Sequence, residues 1–240
     1  MWYAYFDPLY WILILVGGGL SLGASLLVKG TFSAYSNTAS RTGMTGAQVA
    51  QQILRANEIP DVRVEPVSGS LTDHYDPRSK TLRLSESVYG SNSLSALGVA
   101  AHEVGHAIQH ANGYAPLGLR SAWVPVANVG GGLSMIVILI AFMAGGVQST
   151  FGTAAAWIGI GLMGTTTLFT LLTLPVEFDA SRRALKTLRE GGILDPEELG
   201  AARKVLMAAA LTYVAAFVTS ALMLLYYAYR LGLLGGQRRD

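Results

Sequence analysis

The sequence predicts a mostly α-helical integral membrane protein with about four transmembrane helices and a small α/β domain that carries an HExxH helix. Three observations predict it. Of 240 residues, 51% are hydrophobic and 13% charged, roughly half the charged fraction of a soluble domain. From Ser121 through Val176 there are 56 residues without one Asp, Glu, Lys or Arg, room for two membrane crossings at roughly 20 residues each. The remaining charges gather in two stretches. Residues 29–120 hold eight basic and seven acidic side chains, and residues 175–204 hold six of each.

Composition also excludes. A mean hydropathy of +0.41 rules out intrinsic disorder. Zero cysteines rule out thiol catalysis, Fe–S clusters and Cys-ligated zinc. A net charge of +2 makes no case for a nucleic-acid partner.

The elements follow in chain order. Residues 9–28 form the first span, with Trp2, Tyr3, Tyr5, Phe6, Tyr10 and Trp11 crowded at its start as an interfacial belt. No Lys or Arg precedes the apolar core, so it reads as an anchor and not as a cleaved signal peptide. Gly19 and Gly23 make a GxxxG, read as close helix packing within the chain. In 29–120, Thr45 and Gln48 form a capping box for a helix over 46–56. Val62 and Val64 alternate as a short strand. The residues Asp76-Pro77-Arg78-Ser79 signal a turn, and Lys80 to Leu84 alternate as a strand. Ser93 caps a helix that ends at Asn112-Gly113. Spans at 122–145 and 153–174 flank an uncharged turn. Asn128 within them is read as a hydrogen-bond partner for a neighbouring helix, and Thr165 to Thr167 as back-bonding to their own. A helical segment from Pro175 and a fourth span at 205–227 complete the chain.

The helix after Ser93 carries His102-Glu103-Val104-Gly105-His106, an HExxH. Spacing of i and i+4 puts both imidazoles on one face, one turn apart, where they can bind one ion. Glu103 beside them can take a proton from a metal-bound water. Zinc suits imidazole and carboxylate donors and acidifies bound water, and one Zn²⁺ per chain is expected. Gly105 costs about 1 kcal/mol relative to Ala in a helix and implies that a backbone or a substrate comes close there.

A catalytic zinc needs a third protein ligand. His110 lies two turns past His102, about 12 Å along the axis, out of reach of the same ion. Glu177 follows directly on the uncharged gap, and two spans between His106 and Glu177 return the chain to the same side. It reads as the third ligand, with a carboxylate favouring a helix N-terminus as the alternative. Asp179 is the competing carboxylate, or an acceptor that orients a ligand histidine. His74, placed in a loop before the turn, is open to three readings: ligand, transition-state donor or surface residue.

The runs from His102 to His110, Pro175 to Ser181, Leu71 to Pro77 and Arg83 to Tyr89 resemble the small bacterial membrane-bound neutral zinc metallopeptidases, the YugP-like family. The likeness covers nearly the whole chain. More distantly the sequence resembles the HtpX-like and CAAX prenyl proteases of the gluzincin group. The resemblance implies a zincin-like α/β domain, His102, His106 and Glu177 as zinc ligands, and Glu103 as general base. The distant relatives carry Asp four residues after the ligand Glu, where this chain has Ser181.

The expected activity is a membrane-embedded metalloendopeptidase acting on protein or peptide substrates, membrane proteins among them. The strand Lys80 to Leu84 is expected to align the peptide as an added strand. His74, Tyr75, Arg182 and Arg183 are the candidates to stabilise the oxyanion. Fourteen of 17 basic residues lie in the two polar stretches, which the positive-inside rule puts in the cytoplasm; Arg230, Arg238 and Arg239 fall against it. Two other classes compete. A non-catalytic adaptor would close a structural zinc with four ligands, and only three are at hand. A transporter would place ionisable groups within its spans, and these spans have none.

Overall fold

A computed structural model describes residues 7–234. The elements are α1 (Pro8–Ser36), α2 (Gly46–Ala56), β1 (Arg63–Val67), β2 (His74–Asp76), β3 (Thr81–Ser85), α3 (Glu86–Tyr89), α4 (Leu94–Ala111), α5 (Ala115–Met143), a 3₁₀ turn (Gly146–Gln148), α6 (Thr150–Glu190) and α7 (Pro196–Arg230). Four of them, α1, α5, α6 and α7, are long and apolar enough to cross a membrane. The chain divides into two compact units. Trp2, Tyr3, Tyr5 and Phe6 of the expected belt, and Arg238 and Arg239, lie outside the described residues.

One unit comprises residues up to 22, residues 119–173 and residues from 213. Its helices meet where side chains are small. A Cβ on Gly130 would stand 2.5 Å from the Leu162 carbonyl, and one on Gly159 or Gly17 would run into Ile138 or Thr219. Among the described residues Gly19 has nothing within 4 Å of its Cβ position, so the close packing expected of the GxxxG is not made there; Gly17 makes the approach instead. Asn128 is exposed and bonds no neighbouring helix among the described residues. That work falls to Trp123, which donates to the Thr165 carbonyl (2.9 Å), and to Thr167 and Ser220 (2.7 Å). Thr165 back-bonds to Leu162, as expected. The ends of α1 and α7 are tied by Asp7, which accepts from Tyr226 (2.8 Å) and pairs with Arg230 (3.3 Å).

The other unit comprises residues 23–118 and 174–212. Thr45 and Gln48 exchange both bonds of the capping box at the start of α2, and the Ser93 hydroxyl caps α4. Val49, Ile53 and Leu54 of α2, Leu82 and Leu84 of β3, Leu97 and Val104 of α4, and Leu188 of α6 form one buried core.

The sheet order is β1-β3-β2, with β1 parallel and β2 antiparallel to β3. Asp76 shapes the turn by accepting from the Arg78 amide and the Ser79 hydroxyl. This order corrects two expectations. His74 is not in a loop; it opens β2, paired with Arg83. The strand expected to accept a peptide, β3, is central and has both flanks occupied, so no further strand can add to it.

A third correction concerns Pro175. The sequence marks it as a helix start, yet α6 runs unbroken from Thr150 to Glu190 with Pro175 inside it. Proline lacks only its own N–H and keeps a helical φ, a defect that apolar helices of this kind tolerate. Helix α7 begins at Pro196, well before the span at 205–227. Asp195 caps it by accepting from the amides of Glu197 and Glu198, and Glu198 returns a bond to the Asp195 amide.

Candidate metal centre

The candidate centre is built from α4 and the 174–190 part of α6. Both segments belong to one compact unit. On α4, His102 and His106 are one turn apart, with ring centroids separated by 4.9 Å and planes nearly perpendicular. On α6, Glu177 is buried, only 2% exposed. Its Oε2 lies 3.2 Å from His102 Nε2 and 3.6 Å from His106 Nε2. The three ligand atoms lie within 4.8 Å of one another. Gly105 makes this approach possible, because the Ala180 backbone occupies the space that a Cβ would need.

The far side of each imidazole is also held. His102 Nδ1 is 3.1 Å from the Ser181 hydroxyl. His106 Nδ1 is 3.1 Å from Oε1 of Gln109, a fully buried residue. The Gln109 amide nitrogen donates to the Val176 carbonyl (2.8 Å) and to Asp179 Oδ2 (3.0 Å). Asp179 in turn accepts from Arg183 Nε, and the Arg183 guanidinium lies over the Tyr114 ring.

Electrostatics follow from burial and these partners. Burial alone would raise the Glu177 pKa, but hydrogen bonds from His102 and His106 outweigh it and hold the carboxyl well below the usual range. Burial disfavours a proton on His106, yet the Glu177 hydrogen bond and the charges of Glu103 and Glu177 raise its pKa above the ordinary 6.5. A buried carboxylate flanked by two imidazoles thus calls for positive charge, which a proton supplies in the metal-free chain. Two imidazole nitrogens and one carboxylate oxygen are a zinc donor set, and calcium or magnesium would require more oxygens. The residues therefore fit zinc.

The other sequence candidates are spread around this group. Glu103 is buried, 8% exposed. Asp179 and Arg183 stand one step behind His106, through Gln109. The Tyr75 phenol is 2.8 Å from His110 Nδ1, and burial with the charges of Asp61 and Asp76 pushes its pKa up to about 12. His74 is exposed, with Nδ1 on the Thr72 carbonyl. Arg182 is largely exposed and pairs with Asp179 at 3.7 Å. Two residues of the arrangement were not among the candidates. Ser181 stands out in the sequence only as a departure from distant relatives. Gln109 had a legible signal, since i+3 from His106 and i+7 from His102 puts it on their side of the helix.

Comparison with known proteins points to the same metal. A family model described as "Putative neutral zinc metallopeptidase" matches residues 10–232. The chain is 43% identical over 219 residues to "Putative membrane protease YugP" of Bacillus subtilis (strain 168), covering 91% of this chain and 95% of that relative. No solved structure matches the chain.

Proposed function

We propose that this chain, which belongs to the neutral zinc metallopeptidase family, is a membrane-embedded zinc metalloendopeptidase of the gluzincin type. One observation carries the reading: two imidazole Nε2 atoms converge on a single oxygen of a buried carboxylate. His102, His106 and Glu177 would hold one zinc ion. When bound, that ion supplies the Lewis acidity that activates water and polarises a carbonyl at neutral pH.

The chain's own residues do the rest. Glu103 takes a proton onto its carboxylate from the attacking water and returns it to the leaving amine. Ser181 bears on His102 where distant relatives use Asp. An extended peptide adds to the outer flank of β2, one of the two edge strands, in place of β3. The oxyanion candidates are Tyr75, His74, Arg182 and Arg183; each is already partnered, Tyr75 by His110, His74 by Thr72, and both arginines by Asp179.

Spans at 9–28, 122–145, 153–174 and 205–227 cross the bilayer. The zincin-like residues 29–120 and the segment 175–204 then share the cytoplasmic side. The adaptor reading would need a fourth donor to close the site. Among the described residues the group of candidate ligands has three.

The test is the detergent-purified chain with unstructured casein as substrate. One zinc per chain and cleavage abolished by a chelator and restored by zinc are expected. Cleavage indifferent to the chelator, or no bound zinc, overturns the reading.

A further inference from the structure

The hydrogen bonds of Gln109 determine which nitrogen of His106 carries a proton. The Val176 carbonyl can only accept, so the Gln109 group 2.8 Å from it is the NH₂. The same nitrogen reaches Asp179 Oδ2. The amide oxygen is therefore the atom that faces His106 Nδ1 at 3.1 Å. An acceptor there requires Nδ1–H, so Nε2, on the Glu177 side, is the nitrogen left for a metal. Gln109 is wholly buried, so no water can substitute for the bond.

The partner of His102 does not have this property. Ser181 carries a hydroxyl that rotates and can donate or accept. Its bond at 3.1 Å is compatible with either tautomer of His102. The two histidines are therefore held unequally.

We propose that Gln109 is a positioning residue that locks His106 with Nε2 free for the metal, and that Asp179, braced by Arg183, holds Gln109 in that orientation. The chain runs Arg183 to Asp179 to Gln109 to His106, from α6 back to α4. It rests on the zinc reading above. It assigns the carboxylate that sequence spacing left as a rival ligand a different task, two hydrogen bonds behind the ligand. Partners of this kind are worth about 10- to 100-fold in metal affinity.

The test uses the full-length chain in detergent, with Gln109→Met, which keeps the volume and removes the amide, and Ser181→Ala. Zinc affinity is read by competition with a chromophoric chelator. In parallel, ¹⁵N-histidine labelling reports the four imidazoles of the chain, assigned by single replacements. In the zinc-loaded wild type, the His106 Nδ1–H is expected to be protected from solvent exchange. Gln109→Met is expected to bind zinc about 10- to 100-fold more weakly and to lose that protection while His102 keeps its own. Ser181→Ala is expected to lose less affinity and to leave His106 unchanged. If Gln109→Met does not fold, Asp179→Asn takes its place. It removes the charge facing Arg183, and faster exchange at His106 with a smaller affinity loss is expected. Wild-type zinc affinity together with a still protected His106 Nδ1–H in the variant overturns the role of Gln109. Failure of the wild-type chain itself to bind zinc overturns the metallopeptidase reading instead.

Discussion

The carbonyl oxygen of Ala180 stands 2.5 Å from the point where a Cβ on Gly105 would be. Backbone meets backbone here, between Glu103 and His106 on one helix and between Glu177 and Ser181 on the other. A methyl group at Gly105 would gain helix propensity, by about 1 kcal/mol, and lose the approach. Backbone cannot yield as a flexible side chain can, so α4 and α6 must separate. For Gly105→Ala we expect a net stability loss of about 1–3 kcal/mol and zinc affinity reduced at least about tenfold. Chemical denaturation and chelator competition measure both. A variant with unchanged affinity would mean that the two helices need not touch for the ligands to converge.

Glu103, buried beside His102, is the proposed base. Glu103→Gln keeps size and burial and removes the basic oxygen. Casein hydrolysis is expected to fall about 10²- to 10⁴-fold, with zinc content still one per chain. Retained hydrolysis would sink the assignment of the base. Loss of zinc would mean that Glu103 supports the ligands instead.

Local rules made much of the α/β unit legible in advance. Capping residues and apolar spacing marked α2 and the start of α4, and the Asp76 turn marked the hairpin. What was not legible depended on partners distant in sequence. Strand β2 is three residues long, too short to alternate, so His74 looked like a loop residue. The central position of β3 is fixed by β1, which pairs from the other side after a crossover that no local signal announces. Pro175 is a start signal by frequency and an interior residue by context. The spacing of His102 and His106 and the parity of the spans before Glu177 point to these three side chains, which the structure groups together. Ser181 and Gln109 became visible only when α6 was laid against α4, because hydroxyl and amide side chains are too common to stand out alone.

The Glu177–His106 pair sets opposite pH dependences for the metal-free and metal-bound chain. The Glu177 pKa is depressed below its ordinary 4.5, so its contribution is present above that pH and is lost as pH falls through the depressed value. The His106 pKa is raised above 6.5, so its contribution is full below that pH and is lost as pH rises through the raised value. The pair therefore favours the zinc-free chain most between pH 4.5 and 6.5. Zinc must displace the His106 proton, so its affinity is expected to fall about tenfold per pH unit below the raised value. Melting temperature measured with and without zinc across about pH 5 to 9, which starts below the ordinary 6.5 of His106 and rises above it, checks this. The zinc-induced increase should grow with pH, and a pH-independent increase would contradict the coupling.

The proposed sidedness can be tested cleanly because the chain contains no cysteine. Charge counting predicts residues 29–120 and 175–204 on the cytoplasmic side, with Arg230, Arg238 and Arg239 as exceptions. Single cysteines at Ser70 and at Gln148, both exposed, fall in a polar stretch and in the turn between the second and third spans. A membrane-impermeant maleimide added to intact cells should label Gln148→Cys and spare Ser70→Cys until the membrane is opened. The reverse pattern would place the candidate centre on the outer face. Its peptides would then come from exported proteins, while the zinc chemistry assigned to His102, His106 and Glu177 would stand unchanged.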